Sequence, residues 1–254
     1  AAEILDLTPY MKGLPEEELH PDEALAMKLA PQVVSGQIEP TEVQADILQS
    51  NSGSIYSREG TRAHDFGEQI LNGEIEITDI PEDFQSPVGV YVNECRRLIK
   101  ENPTMEPLVE EKTPLFYDPT GSGTVDFAVI SEDMVTILDL KYGQGVMVAV
   151  EDNPQLKIYG ASLMEELAAD GLYSFHSGSV LRIGVCQPRH HGAAPIRYWD
   201  TTWGELQEWM VEVQQVVDNI DDGEAEYVPG EEICRWCPKP VKARCSARQE
   251  MLAA

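Results

Sequence analysis

The spacing of apolar residues along the chain predicts four helices. The first follows a helix cap at Ser57 or Thr61 and turns Phe66 and Ile70 toward a core. Three more are predicted over residues 87–100, 154–169 and 203–220. Asn102-Pro103 ends the first of these three, because a proline disfavours helical backbone at the residue before it.

Runs of β-forming residues predict four strands, over residues 108–116, 124–130, 135–140 and 180–187. Turn-forming residues separate the first three strands, at Asp118-Pro119-Thr120-Gly121-Ser122-Gly123 and at Ser131-Glu132-Asp133. The resulting order is a helix, a three-strand meander, a helix and a further strand. This order predicts an α/β sandwich rather than a doubly wound βαβ repeat.

The composition is typical of a soluble protein with one sizeable core. The chain has 254 residues, of which 42% are hydrophobic. Its apolar runs are all shorter than the ~20 residues that span a bilayer, and its start has no signal-peptide pattern. We therefore expect a cytoplasmic protein without a membrane partner.

The charge of the chain is strongly negative overall, at −27, but unevenly distributed. Between Ile233 and Arg248 there are five basic residues and no acidic one; the basic residues are Arg235, Lys239, Lys242, Arg244 and Arg248. Lysine and arginine drive phosphate binding by releasing counterions, so this segment could face DNA. The acidic remainder repels nucleic acid from other faces or simply keeps the protein soluble.

Two carboxylates and a lysine lie at the ends of adjacent predicted strands. Asp126 ends the segment Gly123-Thr124-Val125-Asp126, and Asp139 and Lys141 follow one strand later. Carboxylates in an open site suit Mg²⁺, which can activate water and neutralise charge during phosphodiester hydrolysis. Lys141 lies two residues after Asp139, hence on the same strand face, where it can position water or offset phosphate charge.

An isolated Asp-x-Lys is more often ordinary surface charge. Here the neighbours of Asp139 are Ile137, Leu138 and Leu140, which predict a buried strand. An unpaired buried charge is costly, so this context favours chemistry over surface charge.

The full set of motifs resembles a known nuclease family. The motifs are Gly60-Thr61-x-x-His64-x-x-x-Glu68, Gly123-Thr124-x-Asp126, Asp139-x-Lys141-Tyr142-Gly143 and Gln155-x-x-x-Tyr159. Their order resembles the RecB/Cas4-like branch of the PD-(D/E)XK nuclease superfamily. Gln187-Pro188-Arg189 and the terminal Cys-x-x-Cys bring the chain closest to the phage and prophage exonuclease-like family formerly of unknown function. The resemblance runs from Ser57 to Cys245.

This resemblance implies a restriction-endonuclease-like core, with a central mixed sheet flanked by helices, over residues 51–230. An N-terminal helical and acidic segment (1–50) and a basic cysteine-containing segment (231–254) would flank it. The implied activity is a Mg²⁺- or Mn²⁺-dependent DNA exonuclease that resects DNA ends in phage-type recombination or DNA turnover. The implied setting is a bacterial or phage-infected cell, with a recombination or annealing protein as partner and, by analogy, a homo-oligomeric ring.

The resemblance also assigns roles to residues. His64, Asp126 and Asp139 would bind metal, with the Leu140 carbonyl as a further ligand and Lys141 as the catalytic lysine. Gln155 and Tyr159 would line the DNA side of the cleft. Two acids, Glu68 and Glu111, are candidates for an additional metal contact. Arg189 would contact a phosphate, with a solvated turn as the alternative.

The cysteines form a separate candidate site. Relatives hold a [4Fe-4S] cluster with one leading and three trailing cysteines, and Cys234, Cys237 and Cys245 match the trailing three. The leading position is Ala30 here, so Cys95 is the candidate substitute. An iron-sulfur cluster, a zinc ion and no metal all remain open.

Two further functions compete with the nuclease. One is a non-catalytic DNA-binding or assembly module that retains the fold. The other is a structural metal protein in which only the cysteines matter.

Overall fold

The structure is a computed structural model that describes residues 59–102, 107–131, 133–144, 146–230, 234, 237 and 245–253. The chain divides into two compact units, with the boundary between Gly204 and Glu205. The N-terminal segment 1–50 lies outside the described residues, as do four of the basic residues, Arg235, Lys239, Lys242 and Arg244. The domain boundaries at residues 50 and 230 therefore stay predictions.

Two helices precede the sheet within the part of the chain that the structure describes. The described part of α1 covers residues 59–71, a single 3₁₀ turn covers Ile77–Asp79, and α2 covers Glu82–Glu101. The predicted start of α2 at residue 87 was five residues late. Pro87 lies inside the helix and has no N–H for the Asp83 carbonyl, and the Tyr142 hydroxyl donates to that carbonyl instead, at 3.5 Å.

The sheet has five strands in the order β1-β2-β3-β4-β5. Only β3 and β4 run parallel, and the other neighbours are antiparallel. The strands are β1 (Leu108–Leu115), β2 (Asp118–Ile130), β3 (Met134–Leu140), β4 (Val180–Cys186) and β5 (Ile196–Thr202). The α/β fold with a central mixed sheet flanked by helices is confirmed. β5 was not predicted, although five of its seven residues are Ile, Tyr, Trp or Thr.

The predicted turn at residues 118–123 is also corrected. The chain turns at Phe116 and Tyr117, and β2 already begins at Asp118. The Asp118 carboxylate accepts hydrogen bonds from the Thr120 amide and hydroxyl. Aspartate makes such local side-chain bonds in turns, and here the bonds form at the start of the strand. A shift of register between Pro114 and Leu115 accommodates the irregular strand ends.

Helices cover both faces of the sheet. On one face α3 (Pro154–Ala169) packs closely enough that the ring of Tyr159 lies over Gly123. The Asn153 side chain caps α3 by accepting from the Leu156 amide at 3.2 Å, and Pro154 fits the first helical position. On the other face α1 and α2 bury a core with β2 and β3 that includes Val88, Phe127 and Leu138.

Two further helices follow the sheet among the described residues. α4 (Trp203–Asp221) begins directly after β5, where the Trp203 amide donates to the Ser179 carbonyl at 2.7 Å. α5 (Ser246–Ala253) follows the cysteine segment in the second unit. Within the described residues, no helix combines the length and the apolarity needed to cross a membrane.

Candidate active site

A cavity of about 850 Å³ lies within the first unit. Seven of the predicted site residues line it, from α1, β2, β3, the segment after β3, and α3. They are His64, Asp126, Asp139, Leu140, Lys141, Gln155 and Tyr159. The structure thus brings together residues that are up to 95 positions apart in the sequence.

His64 enters the cavity from α1 and contacts three partners. Its Nδ1 lies 3.2 Å from Glu110 Oε1 and 3.4 Å from Asp126 Oδ2. Its Nε2 lies 2.9 Å from the Leu140 carbonyl oxygen, which can only accept, so Nε2 carries a proton. Burial by itself lowers the pKa of His64, but the hydrogen bonds and charges of Asp126 and Glu110 raise it to about 10.

Glu110 joins this group from β1. The β1–β2 register pairs Val109 with Phe127 and Glu111 with Val125, which places Glu110 opposite Asp126. Glu110 has a φ of 50°, a left-handed conformation that is uncommon outside glycine and costs strain within a strand. The chain therefore holds two carboxylates side by side at a strained position.

Asp126 connects β2 to the end of β3. Its side chain is buried, and its Oδ2 accepts a hydrogen bond from the Leu140 amide at 2.7 Å. Main-chain pairing of β2 with β3 runs from Ile130–Val135 to Ala128–Ile137. Beyond that point the Asp126 carboxylate makes a contact to β3, which fixes its orientation in the cavity.

Asp139 and Lys141 form an ion pair at the end of β3. The Lys141 Nζ lies 2.9 Å from Asp139 Oδ1 and donates a hydrogen bond to it. Oδ2 is equally close, at 2.9 Å, but outside hydrogen-bond geometry, so this buried oxygen has no hydrogen-bond partner. Burial and the charge of Asp126 outweigh Lys141 and raise the pKa of Asp139 to about 6.

The donor set fits a divalent cation. Ligand atoms of His64, Glu110 and Asp126 lie within 4.8 Å of one another, and Asp139 lines the same cavity. Carboxylate oxygens with one imidazole suit Mg²⁺ or Mn²⁺ better than a soft metal. Neutral His64 would keep its Nε2 proton on the Leu140 carbonyl and offer Nδ1 as the ligand.

A polar and aromatic wall from α3 completes the cavity. Gln155 and Tyr159 are one turn apart, and the Gln155 Nε2 donates to the Tyr159 hydroxyl at 3.2 Å. A Cβ on Gly123 would lie only 2.5 Å from the Tyr159 ring, so glycine is needed for this close approach. The wall stands across the cavity floor formed by the carboxylates.

Comparison with known proteins places the chain in a family. The model of a family described as "Protein of unknown function (DUF2800)" matches residues 40–254. The chain belongs to the DUF2800 family. A crystal structure named a putative exonuclease, from Eubacterium rectale, is similar to this DUF2800 chain at 15% sequence identity. The alignment covers 92% of this chain and 99% of that one, with a TM-score of 0.35.

Two acids predicted as additional metal contacts do not line the cavity of this DUF2800 chain. Glu111 is exposed on β1, and Glu68 lies half-buried on α1 one turn beyond His64. Glu110 takes the position expected of one of them. The Leu140 carbonyl, predicted as a further metal ligand, accepts the His64 hydrogen bond in this structure.

Arg189, predicted to contact a phosphate, is engaged within the protein. Its guanidinium pairs with Glu59 at 2.8 Å and lies over the Tyr142 ring, 4.4 Å from the centroid. It therefore ties the loop after β4 to Glu59 of α1, and it does not line the cavity. The loop location was anticipated, whereas the internal ion pair was not.

Cys95, predicted as a substitute cluster ligand, is a core residue of α2. It is fully buried in the apolar cluster, where burial raises the pKa of its thiol well above the ordinary range. A neutral thiol in an apolar core is a poor metal ligand, so its surroundings argue against that role. The trailing cysteines, Cys234, Cys237 and Cys245, are free and partly buried. A cluster or zinc site on them stays a prediction.

Two lining residues were given no role from the sequence, although Gln187 belongs to the Gln187-Pro188-Arg189 motif. Glu110 was overlooked because Glu110 and Glu111 are adjacent acids in one strand, and alternation alone does not say which one faces inward. Gln187 also lines the cavity, and it is 1% exposed. Its polar side chain directly after the apolar run of β4 was the available signal.

Proposed function

We propose that this protein is a metal-dependent nuclease that hydrolyses phosphodiester bonds in DNA and acts on DNA ends. The observation that carries the proposal is the arrangement of His64, Glu110 and Asp126 around one point, with the Asp139–Lys141 pair in the same cavity. The buried Asp139 Oδ2 lies 2.9 Å from the Lys141 ammonium group but accepts no hydrogen bond, which leaves this carboxylate able to contact a cation.

The four acidic and imidazole side chains would hold the cation. A bound Mg²⁺ or Mn²⁺ would supply positive charge at the scissile phosphate and lower the pKa of a bound water. His64 is oriented for this by Leu140, and Asp126 by the Leu140 amide. The main-chain groups of one residue, Leu140, therefore orient two of the ligands, which favours a fixed coordination geometry.

Lys141 would act on the reacting groups. Its Nζ is held beside Asp139 and is partly exposed to the cavity, with about a quarter of its side-chain surface accessible. From there the ammonium group can donate to a phosphate oxygen or orient the attacking water. The Asp139 carboxylate holds the Lys141 ammonium group in the cavity when no substrate is present.

Gln155 and Tyr159 would bind the nucleotide beside the scissile phosphate. Their side chains are hydrogen-bonded to each other and face the cavity from α3. The amide offers hydrogen bonds to sugar or phosphate, and the phenol ring offers an apolar surface.

Resection of DNA ends together with an annealing protein, and assembly into a ring, remain expectations from the resemblance.

The net charge of −27 affects how the protein would bind DNA. DNA would be repelled by most of the surface, so productive binding depends on local cations and on the divalent metal. We therefore expect activity to need free Mg²⁺ or Mn²⁺ and to disappear with EDTA.

The test is a digestion assay with end-labelled linear DNA and with circular DNA in Mg²⁺. We expect linear DNA to be degraded and closed circles to be spared. Lys141→Ala should abolish the activity with an unchanged circular dichroism spectrum. Lys112→Ala removes an exposed lysine that does not line the cavity and is the matched control.

Two outcomes would overturn the proposal. Full activity of the Lys141→Ala protein would show that the nuclease, if any, uses another site. DNA binding without hydrolysis by the parent protein in Mg²⁺ and Mn²⁺ would favour the non-catalytic binding module.

A further inference from the structure

Gln187 is a buried side chain with all of its hydrogen-bonding capacity used. It is 1% exposed and follows β4 directly. Its Nε2 donates to the carbonyls of Gly143 and Val146, at 3.2 and 2.7 Å. Its Oε1 accepts from the Val148 amide at 3.1 Å and from Arg197 at 3.2 Å.

These bonds hold the segment that follows β3. Residues 143–144 and 146–148 form what we call the Gln187-bound loop. Arg197 adds a bond from its guanidinium to the Val148 carbonyl, at 2.9 Å. Since the loop starts two residues after Lys141, its position is fixed with respect to the lysine that would act on the phosphate.

The Gln187-bound loop presents apolar side chains at the cavity. Val146 lines the cavity and is nevertheless 51% exposed, and Val148 lines it as well. Met147 is also 51% exposed but does not line the cavity. A loop free to relax could turn Val146 away from water, but here its carbonyl is bonded to a buried amide.

The substrate chemistry fits this division. A nucleotide has a charged phosphate and a base whose faces are apolar, and bases bind apolar or aromatic surfaces with little regard to sequence. The carboxylates and Lys141 form the phosphate side of the cavity. Val146 and Val148 form an apolar side, which suits the base and not the phosphate.

We propose that the Gln187-bound loop binds the terminal nucleobase of the DNA end, with Val146 as the contact residue and Gln187 as the positioning residue. This rests on the proposed function, because it assigns the base side of the same site. The apolar contact stabilises the bound terminal nucleotide and does not touch the reacting groups, so its loss weakens substrate binding more than it slows the chemical step.

The experiment compares two end-labelled duplexes that differ only in the terminal nucleotide, which carries a base in one and is abasic in the other. The parent protein should cleave the abasic end with a kcat/KM about tenfold lower, mainly through KM. Val146→Ser should remove this preference by lowering cleavage of the base-containing end. Met147→Ser, with equal exposure on the same loop, should keep it.

Gln187→Glu tests the positioning role. The variant keeps its size and the contacts with Val148 and Arg197 but places an oxygen against the carbonyls of Gly143 and Val146. We expect it to lose the base preference as Val146→Ser does, through a higher KM on the base-containing end, with an unchanged circular dichroism spectrum. Gln187→Glu with the full base preference would overturn the positioning role, and Val146→Ser keeps the contact testable if Gln187→Glu does not fold.

The outcomes separate the two proposals. Equal kcat/KM of the parent on both ends would overturn the base contact and leave the nuclease standing. A Met147→Ser variant that loses the preference as fully as Val146→Ser would also overturn it. Failure of the parent to cleave either end would overturn the proposed function itself.

Discussion

Glu110 and Asp126 lie opposite each other on β1 and β2, with the His64 ring against both carboxylates. Two like charges at directly opposed positions of a ladder destabilise the sheet. The left-handed backbone of Glu110 adds strain at the same place. The pKa of His64 is raised to about 10, so its imidazolium offsets part of this repulsion. A divalent cation that displaces the Nδ1 proton would take over that role, which gives this costly arrangement a use.

The first prediction compares two neighbouring acids. Glu110→Gln should lower Mn²⁺ affinity at least about tenfold, because it removes a charged ligand from the cluster. Glu111→Gln removes the same charge from an exposed position outside the cavity and should leave the affinity unchanged. Isothermal titration calorimetry with Mn²⁺ measures both. Equal losses in the two variants would mean that net charge, not coordination, governs binding.

Most of the fold followed from local patterns. α3 was predicted with its observed bounds because Asn153-Pro154 is a strong start signal and the apolar face is continuous. The start of α2 was misplaced because a proline was taken as a helix start, whereas the Tyr142 hydroxyl serves the carbonyl that Pro87 leaves free. That compensation comes from a residue 55 positions away and is not visible locally.

The site was predictable as a set of residue types in order, and less so as geometry. His64, Asp126, Asp139 and Lys141 do line one cavity. The choice of Glu110 over Glu111 depends on the β1–β2 register, which places Glu110 opposite Asp126 and cannot be read from β1 alone. The ion pair of Arg189 with Glu59 depends on how α1 packs, which is a tertiary property.

A second prediction concerns the contact between Gly123 and Tyr159. Gly123→Ala would place a Cβ 2.5 Å from the Tyr159 ring, which must move and take its bond with Gln155 along. We expect kcat/KM on linear DNA to fall about tenfold or more, since small misplacements are costly in an active site. Gly60→Ala also lies at the cavity but meets no atom within 4 Å, so it should keep full activity. If both variants are fully active, Tyr159 does not help to position the substrate.

A third prediction addresses the cysteines. Cys95→Ala should retain the iron and zinc content of the parent, because the buried thiol belongs to the apolar core. It should lower the free energy of unfolding by about 1 kcal/mol through the cavity left by the sulfur. Metal analysis of anaerobically purified protein and urea denaturation measure the two effects. Loss of bound iron or zinc in Cys95→Ala would restore this residue as a ligand.

The last prediction is a pH dependence on the opposite side of the sheet from α3. Glu94 accepts from Arg97 and from the Tyr198 hydroxyl, and the Arg97 hydrogen bond is the main cause that lowers the pKa of Glu94 below its ordinary value of 4.5. A carboxyl with a lowered pKa contributes stability that is present above the ordinary value and lost as pH falls through the folded-state pKa. Glu94→Gln should therefore cost about 1–2 kcal/mol at pH 7.

That cost should shrink below pH 4.5 and vanish once Glu94 is protonated in the folded protein. Glu101→Gln removes the other, 56% exposed partner of Arg97 and should cost less than about 0.5 kcal/mol at either pH. Urea denaturation of the parent and both variants at pH 7 and in acid gives the comparison. A cost of Glu94→Gln that stays constant with pH would mean that packing, and not the carboxylate charge, stabilises this contact.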